Sequence, residues 1–434
     1  MEKFENVCVQ VNACALSGVA AFFAGIPRAV VVTNSPLWCY FNVLKHFSNR
    51  QTENERIYCT RLDNTSLVYG TEENLRDTLE MVKRDFADDI AVLCIENSCA
   101  VTLIGDDIEA IARQVGFACP IICLDSGGLQ GDFYAGYQLA AREYLEQFPL
   151  LQVLPKLKHT VNLIGGSIAT YNYENDMAEL KSLLQLIGYE VIACPGCEST
   201  SEAIHKMGQA ELNIVVNEGL GLGLAQHLEE RYQMPYINLA LPYGIEGTAN
   251  WLRQILRCFK DEAQAKQAII TAWIQQYHDW IETDLKRVRN IWGELQFPQV
   301  VLAGEVSVVI GLLKTIQTEW ADCASSCVIL TDGLIESELV QGDIKVLDGS
   351  NDSQQIKAMV RNLEDGLLLG SSNERALILR NGLKHAVCHN ISAPNYDEVI
   401  LLAKPYVGFR GALALLEEIW NKYIVMKQQR NSMK

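Results

Sequence analysis

The amino-acid sequence predicts an α/β protein: three Rossmann-like domains in series, with mostly parallel sheets covered by helices. Short apolar runs alternate along the chain with longer amphipathic stretches, the pattern of strands joined by crossover helices. The apolar runs are continuous, as in strands buried on both faces. The opening of a strand into a glycine turn recurs along the chain, and 434 residues at roughly 150 per domain allow about three domains. The expected domains are residues 1–155, 156–293 and 294–434.

In the first block, Ala29-Val30-Val31-Val32, Ile90-Ala91-Val92-Leu93-Cys94-Ile95 and Ile121-Ile122-Cys123-Leu124 read as buried strands. Each is followed by polar or glycine-containing turns and then helical periodicity. Gly105-Asp106-Asp107 opens a helix over 108–115, where the acids suit the positive end of the helix dipole. The second block opens with Val161-Asn162-Leu163-Ile164-Gly165-Gly166. A helix over 176–187, strands over 189–193 and 212–216, and a helix over 223–232 follow. Residues 261–292 contain neither glycine nor proline and read as one or two long connecting helices. The third block opens with Val300-Val301-Leu302-Ala303-Gly304, followed by a helix over 306–320, a strand over 327–331 and the strand and loop of 366–372. Residues 411–427 are helical, and the polar residues 428–434 are expected to fray.

The composition, 49% apolar and 21% charged, is that of a globular protein. A net charge of −17 repels phosphate backbones and argues against nucleic acid as a partner. No uncharged apolar run reaches the roughly 18 residues of a membrane span. The start, Met1-Glu2-Lys3-Phe4-Glu5, has no basic leader before an apolar stretch, so a cytoplasmic location is expected. In a reducing compartment the fourteen cysteines are thiols, most of them small buried hydrophobes and a few of them candidate ligands. No GxxxxGK[ST] occurs, so ATP hydrolysis falls to another protein and no nucleotide is expected on this chain.

Cys14, Cys39 and Cys99 each fall near the end of a regular element, where the loops of one α/β domain converge. Iron–sulfur clusters take thiolates from such loops, but these spacings match no compact ferredoxin motif, and three buried cysteines remain the alternative. Cys194-Pro195-Gly196-Cys197 is a candidate redox or metal pair, against a Pro-Gly turn holding two ordinary cysteines. Glu218-Gly219-Leu220-Gly221-Leu222-Gly223 follows a strand and opens a helix, as phosphate cradles do. It lacks the third spacing of the dinucleotide fingerprint, so a tight turn is the preferred reading. Cys119, Cys123, Cys323 and Cys327 read as core residues. The histidines (His46, His159, His205, His227, His278, His385 and His389) form no ligand spacing.

The segment Asn12-Ala13-Cys14-Ala15-Leu16-Ser17-Gly18-Val19, through Ala24-Gly25-Ile26 to Cys39, resembles the opening of nitrogenase component 1 proteins. Ser98-Cys99-Ala100-Val101-Thr102-Leu103-Ile104-Gly105-Asp106-Asp107-Ile108 is similar to that family's third-cysteine motif and is the most specific match. Leu241-Pro242-Tyr243-Gly244-Ile245-Glu246-Gly247-Thr248 and Tyr406-Val407-Gly408-Phe409-Arg410-Gly411 extend the resemblance over essentially the whole chain.

The resemblance implies that Cys14, Cys39 and Cys99 ligate a [4Fe–4S] or larger cluster at an interface with a second component 1 chain or a second copy. Three thiolates leave a four-iron cubane incomplete, so a partner residue is expected to supply the rest. It also implies electrons delivered by a separate ATP-dependent iron–sulfur reductase. Pro36-Leu37-Trp38-Cys39 departs from the family's glycine-rich approach to the second cysteine. Asn217 stands where the catalytic nitrogenase subunit has its cofactor-binding cysteine, Val407 where it has its histidine, and Tyr137 where it has a further catalytic histidine. None offers a thiolate or imidazole. The expected function is thus a subunit of a nitrogenase-like oxidoreductase that passes low-potential electrons through the cluster to a substrate or cofactor between its domains. The alternatives are a metallocofactor-assembly scaffold and a clusterless relative.

Overall fold

The computed structural model describes residues 13–44, 56–151, 155–259, 263–331, 344–349, 351–380 and 385–431. The described chain forms two compact units. One comprises Asn12–Ala169 with Val191–Asn238, the other Thr170–Glu190 with Leu239–Lys434.

The first unit contains a sheet of β1 (Ala29–Asn34), β2 (Ile57–Cys59), β3 (Val92–Asn97) and β4 (Ile121–Asp125), in the order β2-β1-β3-β4. All its pairings are parallel. Every residue of β1 (AVVVTN) and β3 (VLCIEN) is buried, as helix-covered strands require. One covering helix, Glu72–Phe86, turns Leu75, Leu79 and Val82 inward against Val30, Val32 and Leu93. Burial contributes about 1.5–3 kcal/mol for each such side chain, and Leu79→Ala is expected to cost about 2–5 kcal/mol.

The chain runs from β1 outward to β2, then returns to β3 beside β1 and moves outward to β4. The strand order therefore reverses between β1 and β3. In open α/β sheets the crevice beyond the carboxyl ends of the strands at such a point is the usual ligand position.

A second sheet has β5 (Thr160–Ile164), β6 (Glu190–Val191), β7 (Leu212–Val215) and β8 (Tyr236–Asn238) in the order β6-β5-β7-β8. In the other unit, β9 (Gln296–Phe297) pairs with β11 (Asp322–Cys323). The main sheet there has β10 (Val300–Gly304), β12 (Ser326–Leu330), β13 (Ile344–Asp348), β14 (Leu367–Gly370) and β15 (Val387–Asn390), all parallel, in the order β13-β12-β10-β14-β15. The expected α/β class with parallel sheets covered by helices is what the structure has.

Several boundaries differ from those expected of the sequence. Residues 263–292 form one 30-residue helix, Ala263–Trp292. The helix expected over 306–320 is α-helical over Val306–Thr315 and ends in a π-turn, Ile316–Trp320. The C-terminal helix runs from Gly408 to Asn431, so most of the segment expected to fray is helical. Residues 432–434 of that segment, and His46, lie outside the described residues. No helix among the described residues is long and apolar enough to cross a membrane.

Candidate functional site

The carboxyl end of the first sheet gathers the three predicted cysteines. Cys14 immediately precedes the helix Ala15–Ala24 and is bridged antiparallel to Asp132. Ala15 N–H donates to Gly131 O at 3.0 Å and Phe133 N–H to Ala13 O at 3.1 Å. Glycines set the depth of this packing. A Cβ on Gly18 would stand 1.9 Å from Phe133 O, and one on Gly136 2.0 Å from Ala15 O, so two helices approach closely enough to fix Cys14.

Cys39 lies in the first turn of the helix Leu37–Leu44, which leaves the end of β1, and its N–H donates to Pro36 O at 3.1 Å. Cys99 opens the helix Cys99–Ile104 directly after β3. Cys39 and Cys99 were expected near the ends of elements, and helix starts are where they fall. A side-chain ladder ties the strand ends together. Asn34 Nδ2 donates to Asn97 Oδ1 at 3.2 Å, Asn97 Nδ2 to Asp125 Oδ1 at 3.0 Å, and Thr102 Oγ1 to the same oxygen at 3.1 Å.

The loop after β4 completes the site. A Cβ on Gly127 would lie 2.6 Å from the Cys99 sulfur, and one on Gly128 3.4 Å from Cys14 Cβ and 3.8 Å from the Cys99 sulfur. The three thiols are half-buried and free, and they feel one another. Burial first, and then the charges of Cys14, Cys99, Cys59 and Glu96, raise the Cys39 thiol. Burial likewise raises the Cys14 thiol, backbone N–H groups of Leu16 and Ser17 oppose it, and Glu96 and Cys99 add to it. A bound cation inverts the local charge balance and favours the thiolates of Cys14 and Cys39.

Glu96 is a residue that sequence reasoning missed. It is fully buried in β3, and desolvation pushes its carboxyl up to about 8, opposed by the Thr33 hydroxyl donating to Oε1 at 2.7 Å. The other oxygen, Oε2, has no partner, and neither do the buried hydroxyls of Ser17, Ser98 and Ser126 beside the cysteines. A charged residue inside an apolar strand pattern was the available signal. Buried polar groups without partners are uncommon in folded chains. Here they flank a glycine-lined cradle with soft sulfur donors, and this setting fits an iron–sulfur group. Among the described residues no three His, Cys, Asp or Glu side chains could hold a single metal ion. The thiols suit a polynuclear group, each of whose irons takes its own ligand.

The rim is apolar. Leu37, Trp38 and Phe41 on the Cys39 helix are exposed, Trp38 by 79%, as are Leu103 on the Cys99 helix and Leu129 after Gly128.

The other candidates fare differently. Cys194 and Cys197 are each only 1% exposed. Their turn is closed by Cys197 N–H donating to Cys194 O at 3.0 Å and sits beneath Tyr137, whose hydroxyl reaches Gly166 O at 2.5 Å and Pro195 O at 3.2 Å. Glu218–Tyr232 is helical throughout, with Asn217 as its cap accepting from Leu220 N–H at 3.3 Å. The glycines of that segment serve packing: a Cβ on Gly221 would lie 2.8 Å from Ile164 O and one on Gly219 2.9 Å from the Tyr134 ring. Val407 is fully buried. Cys327 is a core residue of β12, and Cys119 and Cys123 pack against the first core.

In the other unit, His389 is 3% exposed and lies 2.7 Å from Lys422 Nζ through Nδ1 and 3.5 Å from Glu398. Burial first, with the Lys422, Arg375 and Lys404 charges, pushes its pKa down to about 3. Asp176 accepts from the N–H groups of Tyr406 at 2.6 Å and Val407 at 3.3 Å. Nothing in the histidine spacing announced this buried cluster.

A sheet with a reversal in strand order and with three thiols at its carboxyl end defines a parallel α/β protein. The family model for nitrogenase component 1 type oxidoreductases matches residues 14–424, and the chain belongs to that family. It is 25% identical to a subunit of the light-independent protochlorophyllide reductase of Zygnema circumcarinatum, over 88% of this chain and 77% of the relative. It is 22% identical to the nitrogenase molybdenum–iron protein alpha chain of Methanothermococcus thermolithotrophicus (97% and 89% covered). With the nitrogenase iron–molybdenum cofactor biosynthesis protein NifE of Methanococcus maripaludis it shares 23% identity (86% and 77% covered). The solved structure of nitrogenase Cp1 at pH 5 superposes with a TM-score of 0.74 at 19% identity, over 95% of this chain and 88% of that one.

Proposed function

We propose that this chain is a subunit of a nitrogenase-like oxidoreductase, with Cys14, Cys39 and Cys99 as its ligands to an iron–sulfur cluster. When bound, such a cluster supplies low-potential one-electron transfer. The chain's own part is to hold, bury and orient it. The single observation behind the reading is the approach of Cys14 and Cys99 to each other at Gly127 and Gly128, at the carboxyl end of the sheet from which the Cys39 helix also leaves, beside buried oxygens without partners.

The polypeptide prepares that site in three ways. The Asn34–Asn97–Asp125 ladder holds the loops in register. The burial of Glu96 raises its carboxyl to about 8 and so favours its neutral form. Leu37, Trp38, Phe41, Leu103 and Leu129 form a water-excluding rim, and the partner that covers them is a second component 1-type chain or a second copy. A separate ATP-dependent iron–sulfur reductase delivers the electrons. Asn217, Val407 and Tyr137 offer no soft ligand, so this chain does not hold a metal cofactor through them.

An assembly-scaffold role draws its support from the similarity to the cofactor biosynthesis protein. Turnover separates the two. With the reductase and ATP, the oxidoreductase reading expects continuous oxidation of dithionite coupled to reduction of a supplied substrate. A scaffold releases its metal group to an acceptor protein and shows no steady-state turnover.

A further inference from the structure

Lys422, on the C-terminal helix, has an imidazole where a half-buried ammonium ordinarily has a carboxylate. Its Nζ lies 2.7 Å from Nδ1 of His389, near the carboxyl end of β15. The carboxylate stands further back. Glu418 Oε2 is 3.8 Å from Lys422 Nζ, while Oε1 of the same side chain is 3.0 Å from Lys404 Nζ. Glu398 Oε1 faces the imidazole, at 3.5 Å from Nδ1.

The ring is held from several sides. It lies 5.4 Å from the Tyr406 ring, and its Nε2 is buried without a partner. A second proton on this ring would bury a charge with that N–H unpaired, so His389 stays neutral and one ring nitrogen keeps its lone pair. Burial first, and then the Arg375 charge, lower the Lys422 ammonium, opposed by Glu398, Glu418 and Cys388. The titratable groups around the amine therefore come from β15 (Cys388 and His389), the helix before it (Arg375), the loop after it (Asp397, Glu398 and Lys404) and the amine's own helix (Glu418).

We propose that Lys422 is a nucleophilic amine that takes an acyl group from a small acyl phosphate, with His389 as its positioning residue. His389 accepts one amine hydrogen at Nδ1 and leaves the nitrogen lone pair directed away from the ring. In the reaction Nζ attacks the acyl carbon: the C–N bond forms, the C–O bond to phosphate breaks, and phosphate departs with the bonding pair. The proton shed by nitrogen passes to Glu418 and on to solvent, and nothing is oxidised or reduced. A compact, anionic donor suits the place. The Lys422 side chain is only 30% exposed, and Arg375 and Lys404 add positive charge around the His389–Lys422 pair. The product amide carries no charge to set against Glu418, so acylation changes the charge of this cluster by one unit. The proposal is independent of the iron–sulfur reading.

The test is acetylation of the native full chain by acetyl phosphate, with the initial rate at each lysine read by peptide mass spectrometry. Lys314 and Lys286, both exposed, are the references. At about pH 7.5 Lys422 is expected to react about tenfold faster than either, the gain in free amine that one unit of lowered pKa gives. In His389→Leu, which removes the acceptor, the rate at Lys422 falls to that of the references, and His389→Gln, which keeps an acceptor, retains most of it. A second readout needs no variant: in wild type the rate at Lys422 levels off at lower pH than the rates at Lys314 and Lys286. Acetylation of Lys422 no faster than that of the references, with a parallel pH profile, overturns the proposal. Fast acetylation of Lys422 that is unchanged in His389→Leu overturns the role given to His389.

Discussion

Gly127 leaves no room for a side chain beside Cys99: a Cβ there would lie 2.3 Å from the Cys99 nitrogen and 2.6 Å from its sulfur. Both contacts are far inside van der Waals distance, and the nitrogen is backbone that cannot swing away. Gly127→Ala is therefore expected to displace the start of the Cys99 helix and destabilise the chain by about 1–3 kcal/mol or more. At Gly128 the added methyl would meet Cys14 Cβ at 3.4 Å and the Cys99 sulfur at 3.8 Å, which are ordinary contacts. Gly128→Ala is expected to melt within a few degrees of wild type yet bind less iron, because its methyl occupies the space between two ligands. Thermal unfolding together with iron content separates the two. Equal melting of Gly127→Ala and wild type contradicts the packing argument.

The exposed rim predicts association. Trp38 is 79% exposed, so a charge in its place costs the isolated chain within about 0.5 kcal/mol. Trp38→Glu is expected to leave melting unchanged and to weaken self-association or partner binding at least tenfold, read by light scattering across a dilution series. Undiminished association would place the interface elsewhere.

Much of the architecture was legible because buried parallel strands write continuous apolar runs. Val161 to Gly165 and Val300 to Gly304 announced their strands and turns from sequence alone. The segment 218–223 was misjudged because glycine disfavours helix. Its glycines sit in helix for another reason: Gly221 packs against the Ile164 carbonyl and Gly219 against Tyr134. Asn217, which caps that helix, was the overlooked signal. At the site, Cys14, Cys39 and Cys99 were reached through local motifs, whereas Glu96 lies in register with Thr33 across the sheet, a long-range relation that no local pattern encodes.

The pH dependence of stability should carry the mark of Asp176. Burial raises its carboxyl to about 7, against the opposing N–H groups of Tyr406 and Val407. An acid whose folded pKa is raised holds its proton longer in the folded state. Its contribution is present below the unfolded value of 3.8 and is lost as pH rises to about 7. Asp176→Asn, which cannot titrate, should flatten the decline of stability between about pH 4 and 7 by up to about 4 kcal/mol. Urea unfolding at several pH values measures this. A slope identical to that of wild type would mean that Asp176 is ionised in the folded chain at low pH.

Cys194 and Cys197, each 1% exposed beneath Tyr137, are expected to escape alkylation in the native chain while the exposed Cys258 reacts. Tyr137→Phe removes the hydroxyl that donates to Gly166 O and Pro195 O. That substitution is expected to cost about 1–3 kcal/mol and to speed labelling of both thiols. If the wild-type pair labels as fast as Cys258, the turn opens readily and is available for redox chemistry.

Whether the converging thiols hold a cluster is decided by iron and acid-labile sulfide per chain on anaerobically purified, reconstituted protein. The expected content is at least about two irons per chain with matching sulfide, lost in Cys99→Ala. Protein that stays free of iron, both alone and with a co-expressed component 1 partner, would contradict the assignment of Cys14, Cys39 and Cys99 as ligands.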